Sequence, residues 1–420
     1  MNSKLSTSED RAVQIIKLES NAEFRAKKSV LLEIYNDERV ADLPLVVVCI
    51  AGAARKGKSF ILNFFLDYLN HMEKHPTETW VLNDNTKLTG FEFQEGEDPT
   101  TMGIWAWSHV FVIEQENGRK ICFTLIDSQG TFDKNTGFKT CSTIFALTCT
   151  FSSIMCFNVF TDLQEDKLST LAVFVEHAKR IFDNLGGGSG KVFQDLAIIV
   201  RDFCHKKYLD DKNGGQKYVE NSLGIVKVDE LQSTRDGLNE SYERLFGFIF
   251  PNPGKKVSME KTTAVQDIDP EFVERAKEMV EKLLSQAEAK SIGPTVLRSK
   301  NMTDYILQNV KCFNENQEFA PQAVQIVNRN LMINLEVSRA VETYNKNMDE
   351  AFLNRKTGFE ERTLDDIHNE TFAKISQDVE NHIKNKEILA EVMDKFGEHM
   401  TQSFFKYYEK NELLVEVRVY

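Results

Sequence analysis

Residues 49–60 read CIAGAARKGKSF. Within them lies G-A-A-R-K-G-K-S, Gly52 to Ser59, the spacing of a phosphate loop. Gly52 and Gly57 permit backbone angles that turn amide N–H groups inward on a polyphosphate. Lys58 is the cation that reaches the outer phosphates, and the Ser59 hydroxyl is a ligand for Mg²⁺. The flanks agree. LVVVCIA (45–51) is a continuous apolar run, as in a parallel strand buried on both faces. SFILNFFLDYLNHM (59–72) has helical spacing, and its N-terminus adds positive dipole potential at the phosphates. Arg55 and Lys56 are two further cations that the loop pattern does not require.

Three later stretches fit the same chemistry. LIDSQGTF (125–132) is an apolar strand that delivers Asp127 to a sheet edge. Asp127 can hold Mg²⁺ through water, and the Gly130 amide can contact the γ-phosphate; a plain turn after a strand is the alternative. EDPTTMGIW (97–105) places Thr100 and Thr101 in an acidic loop, where a nucleotide switch needs a threonine to close on Mg²⁺ and γ-phosphate. IIVRDF (198–203) ends a buried strand in Arg201 and Asp202. The Asp202 carboxylate can accept from guanine N1–H and N2–H₂, a pair that adenine lacks, and Arg201 can lay its guanidinium on the base. A strand-end salt bridge is the alternative for Asp202.

Around these motifs, strands alternate with helices. The reading gives an edge strand over 12–18, a helix over 27–40, a hairpin over 109–126 turned at Asn117-Gly118, a helix over 168–185 and a strand over 195–202. This indicates a doubly wound α/β domain with a mixed, mostly parallel sheet. The uncharged stretch 140–161, long enough to cross a bilayer, reads as helix, turn and central strand. GGGSG (186–190) precedes a strand and lacks a lysine, so it reads as a linker. Past SIGPT (291–295) long helical patterns take over. Pro321 suits a helix N1 position, Thr363 with Asp366 an N-cap pair, and Leu389, Val392, Phe396, Met400, Phe404 and Tyr408 a core stripe. The expected division is a nucleotide-binding domain with linker over 1–298, a three-helix bundle over 299–413 and a tail over 414–420.

Composition narrows the function. The 420 residues carry a formal net charge of −13, which disfavours a general nucleic-acid binder. The seven cysteines form no C-x-x-C pair and read as reduced, buried thiols. MNSKLSTSED, at the N-terminus, shows no secretory signal, and the chain reads as soluble and cytoplasmic.

Taken together, GAARKGKS, the threonine before MGIW, DSQGTFD, TIFALTCTFSSIMCFNVF followed by QED, VRDF and FPNPGKKV (250–257) resemble the large dynamin-like GTPases of the atlastin and guanylate-binding protein group. The resemblance runs from about residue 12 to about residue 410. It implies GTP as substrate, GDP as product, Mg²⁺ as cofactor and nucleotide-dependent homodimerisation through the GTPase and middle domains. Atlastins tether and fuse endoplasmic reticulum membranes from their cytosolic face. The implied anchor would lie outside NELLVEVRVY (411–420). A soluble guanylate-binding-protein-like GTPase or regulator without fusion activity is the alternative; a non-catalytic GTP-binding scaffold and an ATPase are more distant rivals. By resemblance, Arg55 is an internal arginine finger, Thr101 the switch threonine, and Gln129, Arg201, Asp202 and Val257 line the nucleotide. Arg55, Lys56, Gly57, Lys58, Ser59 and Phe60 make up the loop that holds it, with the Lys56 ammonium read as a solvated cation. The family often carries an arginine where this chain has Gln94, and Thr131 stands where small GTPases keep a water-orienting glutamine. Arg55, Lys58 and Thr101 are therefore the catalytic candidates, and Ser59, Thr101 and Asp127 the metal candidates.

Overall fold

The computed structural model describes residues 10–19, 23–53, 56–91, 103–115, 117–128, 138–165, 167–172, 191, 193–260, 262–292, 295–315, 321–353, 355 and 357–416. The chain divides into an α/β unit that runs to residue 324 and a helical unit from residue 325 onward, with residues 292–295 grouped with the second.

In the α/β unit every residue of β3 (Leu45–Gly52) is buried. β6 (Lys120–Ser128) and β7 (Ile154–Phe160) pair parallel with its two edges. An unbroken apolar run is stable only in such a place, with both edges bonded and both faces covered. β8 (Phe193–Arg201) and β9 (Tyr242–Ile249) extend the parallel set. On the other side β4 (Ile104–Trp107), β1 (Ala12–Leu18) and β2 (Phe24–Ala26) run antiparallel, and β5 (Phe111–Glu114) forms a hairpin with β6. The described order is β2-β1-β4-β6-β3-β7-β8-β9. The stretch 12–18 is thus one strand in from the edge, because the three residues of β2 add outside it. The hairpin turns at Gly118, φ +76°, as Asn-Gly predicts.

Helix α1 (Lys28–Tyr35) precedes β3, and α2 (Lys58–Lys74) follows it. α2 presses Phe60, Phe64, Phe65 and Leu69 onto Val48, Ile50 and Leu125. A second helix, α8 (Pro270–Ser285), packs against α2 and adds Phe272 and Met279 to this core. The uncharged stretch resolves into α3 (Phe138–Phe151) and β7, as expected. Thr148 and Thr150 donate to carbonyls four residues back, which lets hydroxyls sit inside a buried helix. No helix among the described residues is long and apolar enough to cross a membrane. Between β8 and β9 come α4 (Lys206–Leu209), α5 (Gly214–Ser222) and α6 (Asp229–Ser241), and α7 (Lys255–Glu260) follows β9. GGGSG and most of the stretch 168–185 lie outside the described residues.

Helix α9 (Ser299–Glu315), expected to open the bundle, packs instead on α1, β2 and α3. The reason is polar as well as apolar. Asn314 bonds both ways to the Phe24 backbone, Tyr305 donates to the Thr150 carbonyl, and Ser299 donates to the Tyr35 carbonyl. The helical unit holds most of α10 (Pro321–Phe352), then α11 (Glu361–His382) and α12 (Lys386–Glu416). Pro321 is the first residue of its helix, as expected. α11 begins earlier than Thr363, with Glu360 at the N-cap. On α12 Val392, Phe396 and Met400 are buried, but Ile388 replaces Leu389, and beyond Met400 the row runs through Ser403, Tyr407 and Asn411. Asn411 bonds both ways to the Phe359 backbone and Tyr407 donates to the Asn345 carbonyl. These polar anchors set the buried row, while Phe404, half-buried beside it, stacks on His368 of α11 with ring centroids 4.1 Å apart.

Candidate functional site

β3 lies between β6 and β7, and the chain adds strands first on one side of it, then on the other. The carboxyl ends of these strands open a crevice at that reversal, where α/β sheets hold ligands. The loop after β3 runs into this crevice. Gly52 has φ +140°, and a Cβ there would meet the Asn158 carbonyl oxygen at 2.2 Å. Gly57 has φ +74° and stands at the N-cap of α2. Its own Cβ would come within 2.9 Å of the Arg201 guanidinium. Both glycines are therefore required by backbone geometry and close approach.

Lys58 is only 6 % exposed. Its Nζ donates to the Ala53 carbonyl at 3.2 Å. Burial holds its pKa below the usual lysine range, with the Asp127 charge opposing that shift. Ser59 Oγ donates to Asp127 Oδ2 at 2.5 Å. Asp127, near the end of β6, is fully buried, and its Oδ1 has no hydrogen-bond partner among the described residues. Burial raises its pKa; Lys58, Ser59 and the Ser128 amide work against that rise. A buried ammonium and a buried carboxylate, the latter with one oxygen unpartnered among the described residues, thus stand at the start of α2. This donor set fits Mg²⁺, which takes one or two carboxylates together with hydroxyl, water and phosphate oxygens rather than a protein cage.

The base side of the crevice is built by the ends of β7, β8 and β9. Arg201 is 4 % exposed. Its guanidinium lies 4.7 Å from the Phe272 ring centroid and 5.8 Å from that of Phe60, and donates to the Gly57 carbonyl at 3.4 Å. Burial lowers its pKa to about 10. The plane expected to lie on a base packs here on two core rings. Asp202 has φ +55°, a left-handed conformation. On either side of it the Arg201 carbonyl accepts from Thr161 N and the Phe203 amide donates to the Phe250 carbonyl. Asp202 Oδ1 accepts from Asn252 Nδ2. Val257, in α7, is 8 % exposed.

The structure brings Lys56, Gly57, Lys58, Ser59 and Asp127 to one loop and sheet edge, with Arg201 against Gly57. Phe60 is in the core at 2 % exposure, so only its backbone amide can serve a phosphate. The Lys56 ammonium is not simply solvated: it sits 4.0 Å over the Phe160 ring. Arg55, Thr101, Gln129 and Gly130 lie outside the described residues. Two residues escaped the sequence reading. Asn158 donates to the Lys56 carbonyl at 2.9 Å and holds the loop; it is the polar residue within IMCFNVF, which was the available signal. Asn252, in FPNPGKKV, holds Asp202; nothing in its local sequence points to that partner.

A family profile described as guanylate-binding protein, N-terminal domain matches residues 21–292. Atlastin-1 of Bos taurus is 30% identical over 345 residues, covering 80% of this chain and 61% of that protein. Atlastin-2 of Homo sapiens is 30% identical over 339 residues, covering 79% and 57%. Atlastin-3 of Homo sapiens is 29% identical over 372 residues, covering 87% and 68%. The chain thus spans less than two thirds of the length of the first two relatives. With a phosphate loop, an Mg²⁺-type Ser–Asp pair and a profile match over most of the α/β unit, the chain belongs to the guanylate-binding protein and atlastin group of dynamin-like GTPases.

Proposed function

We propose that this chain hydrolyses GTP to GDP and phosphate with Mg²⁺, in a cycle coupled to homodimerisation. The observation that carries the reading is the Ser59–Asp127 pair beside buried Lys58 at the foot of the phosphate loop. Lys58 stabilises negative charge on the β- and γ-phosphate oxygens, and the amides of Lys56 to Phe60 converge on them. Ser59, Thr101 and Asp127 would hold Mg²⁺, which when bound neutralises charge on the phosphates. Gln129, Gly130 and Val257 complete the pocket, and Asp202 reads the guanine edge. With Thr131 in place of a water-orienting glutamine, Arg55 supplies transition-state charge in cis. The helical unit is proposed as the middle domain of the cycle.

We further propose work at the cytosolic face of the endoplasmic reticulum, with homodimers tethering and fusing membranes; atlastin relatives along four fifths of the chain support this. A second reading, a guanylate-binding-protein-like GTPase without fusion activity, rests on the profile match. Replacing Arg55 tests the chemistry. Arg55→Ala should lower kcat by about 10³-fold or more while GDP affinity stays within about threefold. Unchanged turnover would sink the role of Arg55.

A further inference from the structure

Asp202 can discriminate guanine only if its carboxylate faces the base edge-on, so that one oxygen meets N1–H and the other N2–H₂. A side chain on a left-handed residue at a strand end has several rotamers open to it. In this chain something fixes it. The Asn252 carboxamide donates through Nδ2 to Asp202 Oδ1. Its own orientation is settled by a second bond, from the Gly254 amide to Asn252 Oδ1 at 2.9 Å. Gly254 has φ +107°, a conformation that turns this amide back on Asn252. The turn is in turn tied to α8, through the Asp269 amide donating to the Pro253 carbonyl. The chain of contacts runs from a helix N-terminus, through a Pro-Gly turn and a keyed carboxamide, to the carboxylate.

A carboxylate has about four lone-pair sites on its two oxygens. One bond from Asn252 to Oδ1 therefore leaves room for a bidentate base. The Asn252 side chain bonds to Asp202 and Gly254 and to no phosphate-loop residue among the described ones, so its effect should fall on base choice and not on phosphate binding.

We propose that Asn252 is a specificity-determining positioning residue, which holds the Asp202 carboxylate in the pose that reads the N1–H and N2–H₂ edge of guanine. This rests on the guanine-nucleotide reading above. The test measures dissociation constants for GDP, IDP and ADP with the full chain in Mg²⁺, for wild type, Asn252→Ala and Asn252→Asp. IDP keeps N1–H and lacks the N2 amine, so it separates the two contacts. The alanine variant should lose about tenfold in the GDP-to-ADP affinity ratio, with ADP affinity within twofold of wild type. The aspartate variant sets two carboxylates face to face and should lose more at pH 7.5, then regain guanine preference toward pH 5 as the pair shares a proton. A purely structural role would shift melting temperature and leave these ratios unchanged. The proposal is overturned if both variants keep the wild-type GDP-to-ADP ratio within twofold, or if all three nucleotides weaken equally. A wild type that does not prefer GDP over ADP would instead overturn the guanine reading beneath it.

Discussion

Replacing Ser59 by alanine removes the one side-chain hydrogen-bond donor to Asp127 among the described residues and, on the proposed reading, one ligand of Mg²⁺. The bond is short, at 2.5 Å, and its acceptor is fully buried, with the second oxygen unpartnered among the described residues. A hydrogen bond to a charged group contributes about 1.5–3 kcal/mol. Nucleotide-free Ser59→Ala should therefore unfold roughly 3–12 °C lower, at about 2–4 °C per kcal/mol for a unit of this size. Asp127 can soften the loss by binding a proton, since burial already raises its pKa; this favours the lower half of the range. The same free energy, applied to the site, is about 10- to 150-fold in an equilibrium constant. In a fluorescent-GDP titration with and without Mg²⁺, the tightening that Mg²⁺ gives to wild type should shrink by that factor in Ser59→Ala. Ser59→Thr keeps the hydroxyl and should retain it. If Ser59→Ala binds GDP with undiminished Mg²⁺ dependence, the Ser59–Asp127 pair is a packing contact and the metal assignment is wrong.

Two further outcomes follow from the same packing. Gly52→Ala places a methyl 2.2 Å from a backbone oxygen of β7 at φ +140°. Backbone strain of about 1–3 kcal/mol before the overlap is relieved should cost the variant its stable fold or a large part of its melting temperature. A variant that melts within 2 °C of wild type, roughly 1 kcal/mol, would refute the strand spacing. Lys290 is 4 % exposed, donates to the Ser152 carbonyl at 2.9 Å, and has its pKa lowered by burial to about 8. Its folded pKa lies below the unfolded value of about 10.4. The cost of burying its charge is thus full below pH 8 and relieved as pH rises from about 8 toward 10.4. Denaturant unfolding of Lys290→Met against wild type should show the variant gaining most at pH 7 and losing that gain by pH 10; a pH-independent difference contradicts this.

How far the sequence could be read depends on the range of each contact. The strand, loop and helix from Leu45 to Lys74 were legible because apolar runs, two glycines and helical spacing act within a few residues. The same holds for α3 and β7, where β-branched and aromatic residues separate strand from helix. Asp127 was legible because a strand delivers it at a typical distance from the loop. The contacts that set the fine geometry join distant positions. Asn252 and Asp202 meet because β8 and β9 end side by side. Arg201 packs on Phe272 because α8 lies over α2, which no local pattern reveals. Helix α9 looks like a bundle helix by periodicity, and the contacts that tie it to the α/β unit, Asn314 on the Phe24 backbone, Tyr305 on Thr150 and Ser299 on Tyr35, join positions far apart in sequence. The buried row of α12 changes course at Ser403 because Tyr407 and Asn411 bond to distant backbone groups, which leaves Phe404 half-buried against His368.

The central claim is an Mg²⁺-dependent hydrolase that selects guanine. Phosphate release by the full chain, measured with GTP and with ATP, each in Mg²⁺ and in EDTA, tests it most directly. The account predicts turnover of GTP in Mg²⁺, at least about a hundredfold less with ATP, because a site built to hydrogen-bond one base leaves polar groups unpaired with another, and none above background in EDTA. Equal turnover of the two nucleotides, or GTP hydrolysis that survives EDTA, would contradict it.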